Sequence, residues 1–308
     1  MKLRGLTGVV ARITGMRVGV IDVGSNTVRL LVASVAGQTV RAVREERAQL
    51  GLGAEILRHG RVRERKLDEL AEVVAGYARA ARKAGVRDLE TVVTAPGRQS
   101  SEPERLLAVL ARATAAPVRV VPAEEEGRLA FAGAVAGEDA GSKVVAVCDV
   151  GGGSTEVVVG TQLLGPAWID SVDAGSLRLT AACLGSDPPA PAEIAGARLA
   201  VAEAFAELRP PRPDLALATG GSARAVARVV GGPYGPAELE RVVALLAGRP
   251  AAAAARELGL RPDRARTLLA GALLLREVSE RLGTDFTPAR GGIREGAALR
   301  LAARQLAA

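Results

Sequence analysis

The chain has 308 residues, of which 48% are hydrophobic and only 2% are aromatic. This length is sufficient for two domains with buried cores, and the formal charge of +7, carried almost entirely by arginine, favours an anionic partner. The composition argues against nucleic acid as that partner, because single-strand binding relies on aromatic platforms and the chain has three Phe, two Tyr and one Trp; a small or linear phosphate polyanion fits better.

The sequence indicates a cytoplasmic protein with reduced cysteines. Cys148 and Cys183 have no metal-type spacing and are expected to be core thiols. No apolar run approaches the length of a membrane span, and Arg4 and Arg12 interrupt the only candidate signal region. Residues 1–15 have no counterpart in the pattern that follows, so we expect a disordered or misannotated N-terminal extension there.

The first predicted element is a hairpin at residues 18–32. Its two β-branched runs flank Asp22 and a turn of small residues, namely Gly24, Ser25, Asn26 and Thr27. Glycine lets backbone N–H groups converge on an anion, and the Ser, Asn and Thr side chains add donors. The turn therefore predicts phosphate binding. Because the Asp22 carboxylate would repel a phosphate, it indicates a bridging cation, unless it serves only to form the turn.

Alternating helices and strands follow this hairpin. The pattern predicts strand in 38–53, helix in 67–84, strand in 89–94, helix in 103–112, strand in 118–121 and a crossover helix in 124–136. This order predicts a mixed sheet flanked by helices. An arginine-rich stretch at residues 58–66 either extends a track for a chain of phosphates or is a solvated charge run, the commoner role before a helix.

The hairpin pattern occurs a second time at residues 145–159. Asp149 ends the first run and Glu156 opens the second. The turn between them consists of Gly151, Gly152, Gly153, Ser154 and Thr155. Two copies with matched flanking strands favour phosphate binding far more strongly than either copy alone. A polar break at residues 137–142 is the predicted hinge and divides the chain into domains at 16–137 and 138–308.

The rest of the second half is predicted to be mainly helical. A helix ends at residue 208, a strand covers 215–218 and another helix begins at Gly220. The remainder is predicted as helix at 237–247, 251–258, 262–282 and 293–306.

Six short motifs run in order from about Met16 to the C-terminus. They are the two turns at 22–27 and 149–156, Glu-Glu-Glu-Gly-Arg at 124–128, Gly-Ser-Leu-Arg-Leu-Thr at 175–180, Thr-Gly-Gly at 219–221 and Gly-Ile-Arg-Glu-Gly at 292–296. Together they resemble the short, two-domain form of the exopolyphosphatase and guanosine pentaphosphate phosphohydrolase family, within the actin, sugar kinase and Hsp70 superfamily. The resemblance implies an α/β protein of two ribonuclease H-like (actin-like) domains, each a mixed sheet flanked by helices. It also implies an active site in the interdomain cleft and a last helix that packs back on the first domain.

The resemblance further implies roles for individual side chains. Glu126 corresponds to the catalytic glutamate of the family, and Arg98 to an arginine that meets the terminal phosphates. Asp149 and Glu156 match carboxylates that are associated with Mg²⁺ or Mn²⁺, and Asp22 completes the shell. Two departures from the family pattern bear on these positions. A glycine replaces the alanine after the catalytic glutamate, where it could loosen that side chain, and Pro-Gly replaces the Ala-Leu or Thr-Leu pair before the arginine.

The residue pattern itself leaves alternatives open at two points. Glu126 in the first turn of a helix is favoured in its ionised form by the helix dipole, as suits a general base. Without the flanking motifs, however, three consecutive glutamates at 124–126 are more often a capping or solvated acidic cluster. Asp149 and Glu156 lie across a tight hairpin and could hold Mg²⁺ at one edge of the cleft, partly through waters. Alternatively, Glu156 merely begins a strand and faces solvent.

The expected reaction is release of terminal orthophosphate from inorganic polyphosphate by metal-assisted attack of water, with guanosine pentaphosphate as a further substrate. Two rival functions remain. An actin-like kinase or ATPase would use the same paired turns for ATP, and a non-catalytic polyphosphate or alarmone sensor would close on its ligand without hydrolysis. We expect no nucleic-acid or membrane partner. A homodimer is one expected assembly, since it would lengthen a basic groove.

Overall fold

The computed structural model describes residues 15–307, so the expected N-terminal extension lies outside the described residues except for Gly15. The strands are β1 (Met16–Val23), β2 (Thr27–Ala36), β3 (Thr39–Gln49), β4 (Asp88–Val93), β5 (Val118–Val120), β6 (Val144–Val150), β7 (Thr155–Thr161), β8 (Gly165–Val172), β9 (Leu215–Thr219) and β10 (Phe286–Pro288). The helices are α1 (Leu52–His59), α2 (Glu64–Lys83), α3 (Ala95–Gln99), α4 (Pro103–Thr114), α5 (Ala123–Val135), α6 (Ser176–Cys183), α7 (Pro191–Ala204), α8 (Gly220–Val230), α9 (Pro236–Ala247), α10 (Ala251–Glu257), α11 (Pro262–Leu282) and α12 (Ile293–Ala307). None of the helices between residues 15 and 307 combines the length and apolar character that a bilayer span requires.

The strands form two five-stranded sheets of the same topology. Their orders are β3-β2-β1-β4-β5 and β8-β7-β6-β9-β10. In each sheet the first three strands along the chain pair antiparallel. The fourth strand pairs parallel with the first, and the fifth pairs parallel with the fourth. The predicted mixed sheet flanked by helices is therefore confirmed in both halves. The repeated sequence pattern reflects a repeated fold, with each central strand buried on both faces because helices cover both sides.

The structure contains several elements that the sequence pattern does not predict. One is β10, a strand of three residues that pairs with β9 and lies between the helices predicted at 262–282 and 293–306. The segment 38–53 supplies the expected strand as β3, and it also contains the start of a helix, because Gly51 adopts a left-handed conformation (φ 63°) and α1 begins at the next residue. The pattern also misses α6 and β8. These short elements depend on pairing and packing with distant residues, which local periodicity does not register.

Helices on both faces complete the two halves. On one face of the first sheet, α2 and α4 enclose an aliphatic core, while α12 covers the other face through Ala298 and Leu301 against Val18 and Leu31. Although α5 precedes residue 137, it packs on the second sheet through Phe131 and its neighbours. The chain thus passes between the sheets at residues 121–122 and 289–292, whereas the sequence pattern places the hinge at 137–142.

The helices α5 and α12 cross between the two sheets at van der Waals contact of their backbones. A Cβ added to Gly296 would lie 1.9 Å from the Leu129 carbonyl oxygen, and one added to Gly133 would lie 1.9 Å from the Gly292 carbonyl oxygen. Only glycine allows so close an approach. Gly296 of the Gly-Ile-Arg-Glu-Gly motif is thereby explained as part of this crossing, whereas Gly292 makes room for the Thr219 hydroxyl, which would lie 2.4 Å from an added Cβ.

Candidate active site

The first predicted turn, between β1 and β2, is held in shape by the residues that follow β3. Within the turn, Gly24 N donates to Thr27 O at 3.1 Å. From outside it, Gly53 N donates to Ser25 O at 2.7 Å and Gln49 Nε2 donates to the Asn26 side-chain oxygen at 3.3 Å. The Ser25 hydroxyl is buried and has no hydrogen-bond partner among residues 15–307. An unpartnered buried donor is costly unless a ligand satisfies it, so this hydroxyl is available to an anion.

The second turn, between β6 and β7, has the same construction. Gly151 N donates to Ser154 O at 3.0 Å, and the Gly151 carbonyl accepts from Ser176 N at 2.9 Å and from the Ser176 hydroxyl at 3.0 Å. A Cβ on Gly175 would lie 2.4 Å from the Gly152 carbonyl carbon. The Gly-Ser-Leu-Arg-Leu-Thr motif therefore begins α6 directly against the turn, with its glycine giving room and its serine bonding the turn backbone.

The two turns meet tip to tip. A Cβ added to Gly153 would lie 2.8 Å from the Ser25 hydroxyl, and one added to Gly152 would lie 3.1 Å from Ser25 Cβ. Gln99 on α3 contacts the second turn from the first half of the chain, because its Nε2 donates to Gly153 O at 3.4 Å and also to Asp173 Oδ1, beyond β8, at 3.3 Å. The glycines of the second turn thus allow it to approach the first one closely.

A cavity of about 100 Å³ lies at this junction. Its wall includes Gly24, Ser25, Asn26, Thr27, Gly151, Gly152, Gly153 and Ser154 from the turns, together with Asp22, Glu126 and Asp149. Thr155 and Glu156, which the sequence places at the same site, do not line it. Thr155 instead donates to Ala174 O at 2.6 Å, and Glu156 is 1% exposed and accepts from the Ser171 hydroxyl at 3.0 Å. Most of the predicted phosphate-binding residues therefore line a single cavity.

Glu126 lies in the cavity wall and is held by Arg98. Arg98 Nη1 donates to Glu126 Oε2 and to Val121 O, both at 2.7 Å. Arg98 Nη2 lies 3.3 Å from the Ser154 hydroxyl, to which it donates, and 3.8 Å from Glu156 Oε1. Both carboxylates are therefore within reach of one guanidinium.

The protonation of Glu126 differs from the expectation based on the helix dipole. Burial raises the pKa of Glu126 well above its usual range, and the nearby Glu156 charge raises it further, against the opposing effect of Arg98. The helix terminus does not decide the ionisation state, because Glu126 is only 8% exposed and the loss of water disfavours its charged form more strongly. Burial also raises the pKa of Glu156, to about 7.

Two further carboxylates, Asp22 and Asp149, end the central strands β1 and β6 at the cavity. Burial raises the pKa of both, that of Asp149 to about 6, and the charge of Asp22 adds to the increase at Asp149. Within residues 15–307 no group of three or more His, Cys, Asp or Glu side chains is arranged to hold a metal ion by itself. The groups that could contribute to a metal site are therefore the carboxylates of Asp22 and Asp149, which lie beside a space of about the size of a phosphate group.

The sequence analysis missed three arginines that line the cavity: Arg29, Arg224 and Arg264. Burial lowers the pKa of each, that of Arg29 to about 9 and that of Arg264 to about 10. None of the three forms an ion pair within 4 Å with a carboxylate in the described part of the chain. One signal was readable, because Arg29 interrupts an otherwise apolar buried strand. Arg29 and Arg264 are half-buried and Arg224 is exposed. Guanidinium groups without a carboxylate partner make the cavity attractive to a polyanion.

Other candidates from the sequence lie away from this cavity. The arginine-rich stretch 58–66 is exposed except for Val62 and Lys66, and does not contribute to the cavity wall. Its charges are partly paired, since Arg61 contacts Glu102 at 2.5 Å and Arg63 contacts Glu55 at 2.9 Å. The stretch is therefore a solvated, partly paired charge run that takes no part in the cavity wall.

Comparison with known proteins identifies the family of the chain. A model of the Ppx/GppA phosphatase family matches residues 31–305. The chain belongs to this family. An uncharacterised protein of Streptomyces coelicolor is 32% identical to it over 303 residues, which cover 92% of this chain and 90% of that protein. Exopolyphosphatase 1 of Mycobacterium tuberculosis is 30% identical over 276 residues, which cover 84% of this chain and 80% of the relative.

Solved structures of Ppx/GppA proteins share the fold. The Aquifex aeolicus family member superposes with a TM-score of 0.80 at 24% identity, covering 94% of this chain and 98% of that one. An exopolyphosphatase from Cytophaga hutchinsonii gives a TM-score of 0.84 at 19% identity, with coverage of 94% and 98%. The family resemblance read from the motifs and the expected actin-like, two-domain fold are both confirmed.

The structure explains the two departures from the Ppx/GppA pattern. A Cβ at Gly127 would lie 2.9 Å from Val158 Cγ2, so glycine lets α5 approach the branched side chains of β7 closely. A Cβ at Gly97 would lie 2.7 Å from Val120 Cγ2, so glycine likewise lets α3 pack on β5. The Pro-Gly pair thus forms part of a short helix that points Arg98 at Glu126.

Proposed function

We propose that this protein hydrolyses the terminal phosphoanhydride bond of inorganic polyphosphate and releases orthophosphate, with guanosine pentaphosphate as a further substrate. The observation that carries the proposal is the meeting of the two glycine turns around one small cavity that contains a buried glutamate and unpaired arginines. A relative that is 30% identical bears the name exopolyphosphatase, which agrees with this assignment.

Two features favour a phosphate chain over a nucleoside triphosphate. No aromatic side chain from residues 15–307 lines the cavity, so a base has no ring on which to stack. In addition, the Arg264 guanidinium covers Gly221, where a Cβ would lie 2.3 Å from Arg264 Nη2. A cation therefore takes the space beside the Thr-Gly-Gly motif and favours phosphate oxygens there.

Terminal phosphoryl transfer requires positioning and stabilisation of negative charge, with little covalent chemistry by the protein. We assign the backbone N–H groups of the two turns and the Ser25 hydroxyl to the oxygens of the terminal phosphate. Arg98 would bind the same group, and Arg29, Arg224 and Arg264 would neutralise the phosphates that follow. Preorganised donors in an enclosed site stabilise the transition-state charge more effectively than water does.

Glu126 would act as the general base. Its raised pKa brings the carboxylate closer to the basicity that a general base needs near neutral pH. General base catalysis typically raises the reaction rate by about 10²- to 10⁴-fold. Glu126 would take a proton from water while the water oxygen forms a bond to the terminal phosphorus and the anhydride P–O bond breaks. The shortened chain leaves with the bridging oxygen, and the proton passes from Glu126 to solvent.

Asp22 and Asp149 fit a bound Mg²⁺ or Mn²⁺. Mg²⁺ is commonly held by one or two carboxylates, waters and substrate phosphate oxygens, and an adjacent cation would compensate for the unfavourable burial of both acids. When bound, such an ion would neutralise charge on the phosphates. Glu156 lies behind the wall, so we assign it to electrostatic support of Arg98 and Glu126 rather than to the ion.

The decisive experiment measures orthophosphate release from polyphosphate, guanosine pentaphosphate and ATP in Mg²⁺ or Mn²⁺, for the wild type and for Glu126→Gln. We expect release from polyphosphate, which Glu126→Gln lowers by about 10²-fold or more while polyphosphate binding is largely retained. Rapid turnover of ATP alone would establish the kinase or ATPase function instead. Tight polyphosphate binding by the wild type with no release would establish the sensor.

A further inference from the structure

Two glutamates and two arginines form a closed ring of ion pairs beside the first turn of α5. We name it the Glu90 ring, and its members are Glu90, Arg119, Glu125 and Arg300. Arg119 donates to Glu90 at 2.8 Å and to Glu125 at 2.6 Å. Arg300 donates to Glu125 at 2.6 Å and also to Glu90. Every carboxylate oxygen of the two glutamates accepts a hydrogen bond, and each arginine reaches both glutamates, while Arg119 Nη2 and Arg300 Nε have no partner among residues 15–307. Such charge-assisted pairs fix direction as well as distance.

The Glu90 ring connects α5 to the other half of the molecule. Glu90 lies on β4, Arg119 on β5 and Arg300 on α12, all of which belong to the first sheet or pack on it. Only Glu125 comes from α5, whose remaining turns pack on the second sheet. The base of the ring is buried, since the Glu90 side chain is 4% exposed. The ring therefore ties the start of α5 to the half that carries Arg98.

The first turn of α5 is held by side chains from other elements rather than by a cap of its own. The helix follows Pro122 and has no side-chain cap, and Gly127 disfavours helix in its second turn. Glu126, immediately after Glu125, is bonded to Arg98, which also holds Val121 O. The three consecutive glutamates thus have separate surroundings. Glu124 is solvent-exposed and pairs with Arg128, Glu125 enters the ring, and Glu126 enters the cavity.

We propose that Glu125 and Arg300 are positioning residues that hold Glu126 at the distance and angle its reaction requires. The proposal rests on the proposed role of Glu126 as general base. Fold stability alone is a weak reason for the ring, because the desolvation of buried ion pairs offsets much of their attraction. A fixed register between α5 and the first sheet explains it better, since a misplacement of about 1 Å can lower the rate about 10²-fold.

The kinetic test compares Arg300→Met with the wild type on polyphosphate. We expect kcat to fall by about 10- to 100-fold with KM changed less than about twofold, and Arg300→Lys, which keeps the charge, to recover part of the loss. Arg304→Met is the matched control, because Arg304 is 63% exposed and lies 3.9 Å from Glu90, outside the ring; it should retain the wild-type kcat. If Arg300→Met does not fold, Glu125→Gln takes its place.

Two outcomes decide the role. In a Glu126→Gln background, Arg300→Met should cause no further loss of rate, because there is no base left to position. An equal loss in both backgrounds would mean a merely structural role and would overturn the proposal.

A measurement without turnover separates this proposal from the proposed function. The Glu126 amide donates to Pro122 O at 2.9 Å, the first hydrogen bond of α5. Hydrogen exchange at residues 126–129 should be faster in Arg300→Met than in the wild type, with exchange in β1 unchanged. Unchanged exchange at 126–129 would overturn the positioning role. A protein that releases no phosphate but shows the faster exchange would refute the enzyme assignment and leave the structural coupling standing.

Discussion

The crossing of α5 and α12 offers a quantitative test of how this fold sets its active site. Gly296→Ala places a Cβ 1.9 Å from the Leu129 carbonyl oxygen, whereas ordinary van der Waals contact begins at 3.4 Å. Both elements in the clash are backbone, so no side chain can rotate away, and the helices must separate by about 1.5 Å. Overpacking of this kind costs about 3 kcal/mol, the upper end of the usual range.

The same shift reaches the catalytic geometry, because α5 carries Glu126 only a few residues before the crossing. We expect the melting temperature of Gly296→Ala to fall by about 5–10 °C in a thermal unfolding scan. We also expect kcat for polyphosphate to fall about 10²-fold.

Gly196→Ala is the matched control, since Gly196 lies in the exposed face of α7 and nothing lies within 4 Å of an added Cβ. It should stabilise the protein by about 0.5–1 kcal/mol through helix propensity and leave kcat unchanged. If Gly296→Ala melts within about 1 °C of the wild type and keeps its kcat, the crossing does not set the site.

Two further predictions concern charge. Burial raises the pKa of Asp149 from 3.8 to about 6, so in the metal-free protein its ionised form destabilises the fold by about 3 kcal/mol above that pH. The folded state holds this proton more tightly than the unfolded state, so the stability is present at acid pH and lost as pH rises through about 6. Asp149→Asn should therefore raise the metal-free melting temperature at about pH 8 but not at about pH 4; an equal increase at both would contradict the assigned burial effect. The double variant Arg61→Met with Arg63→Met should leave KM for long polyphosphate unchanged, because both arginines are exposed, paired with glutamates and outside the cavity. A severalfold higher KM in the phosphate-release assay would show that polyphosphate crosses this surface.

The Glu-Glu-Glu sequence at 124–126 shows why local sequence could not assign every role. The triple is consistent with a helix start, a solvated cluster or a catalytic site. In the structure, Glu124 pairs with Arg128 on the surface, Glu125 joins the Glu90 ring and Glu126 lines the cavity. These differences depend on distant elements, since α12 carries Arg300 and α3 carries Arg98. The ionisation of Glu126 likewise depends on burial by distant residues, which outweighs the helix-end effect that sequence position predicts.

By itself, the sequence determined the repeated strand-turn-strand units, the glycine and hydroxyl residues of their turns and most of the helices and strands around them, because β-branched runs and glycine turns act over a few residues. Only the tertiary structure decided that the turns meet, that Arg29, Arg224 and Arg264 converge unpaired beside them, that Glu156 lies behind the wall, and that β10 is a strand. These features depend on contacts between residues far apart in the chain. Burial and the resulting electrostatics exist only once the two halves have packed around α5 and α12.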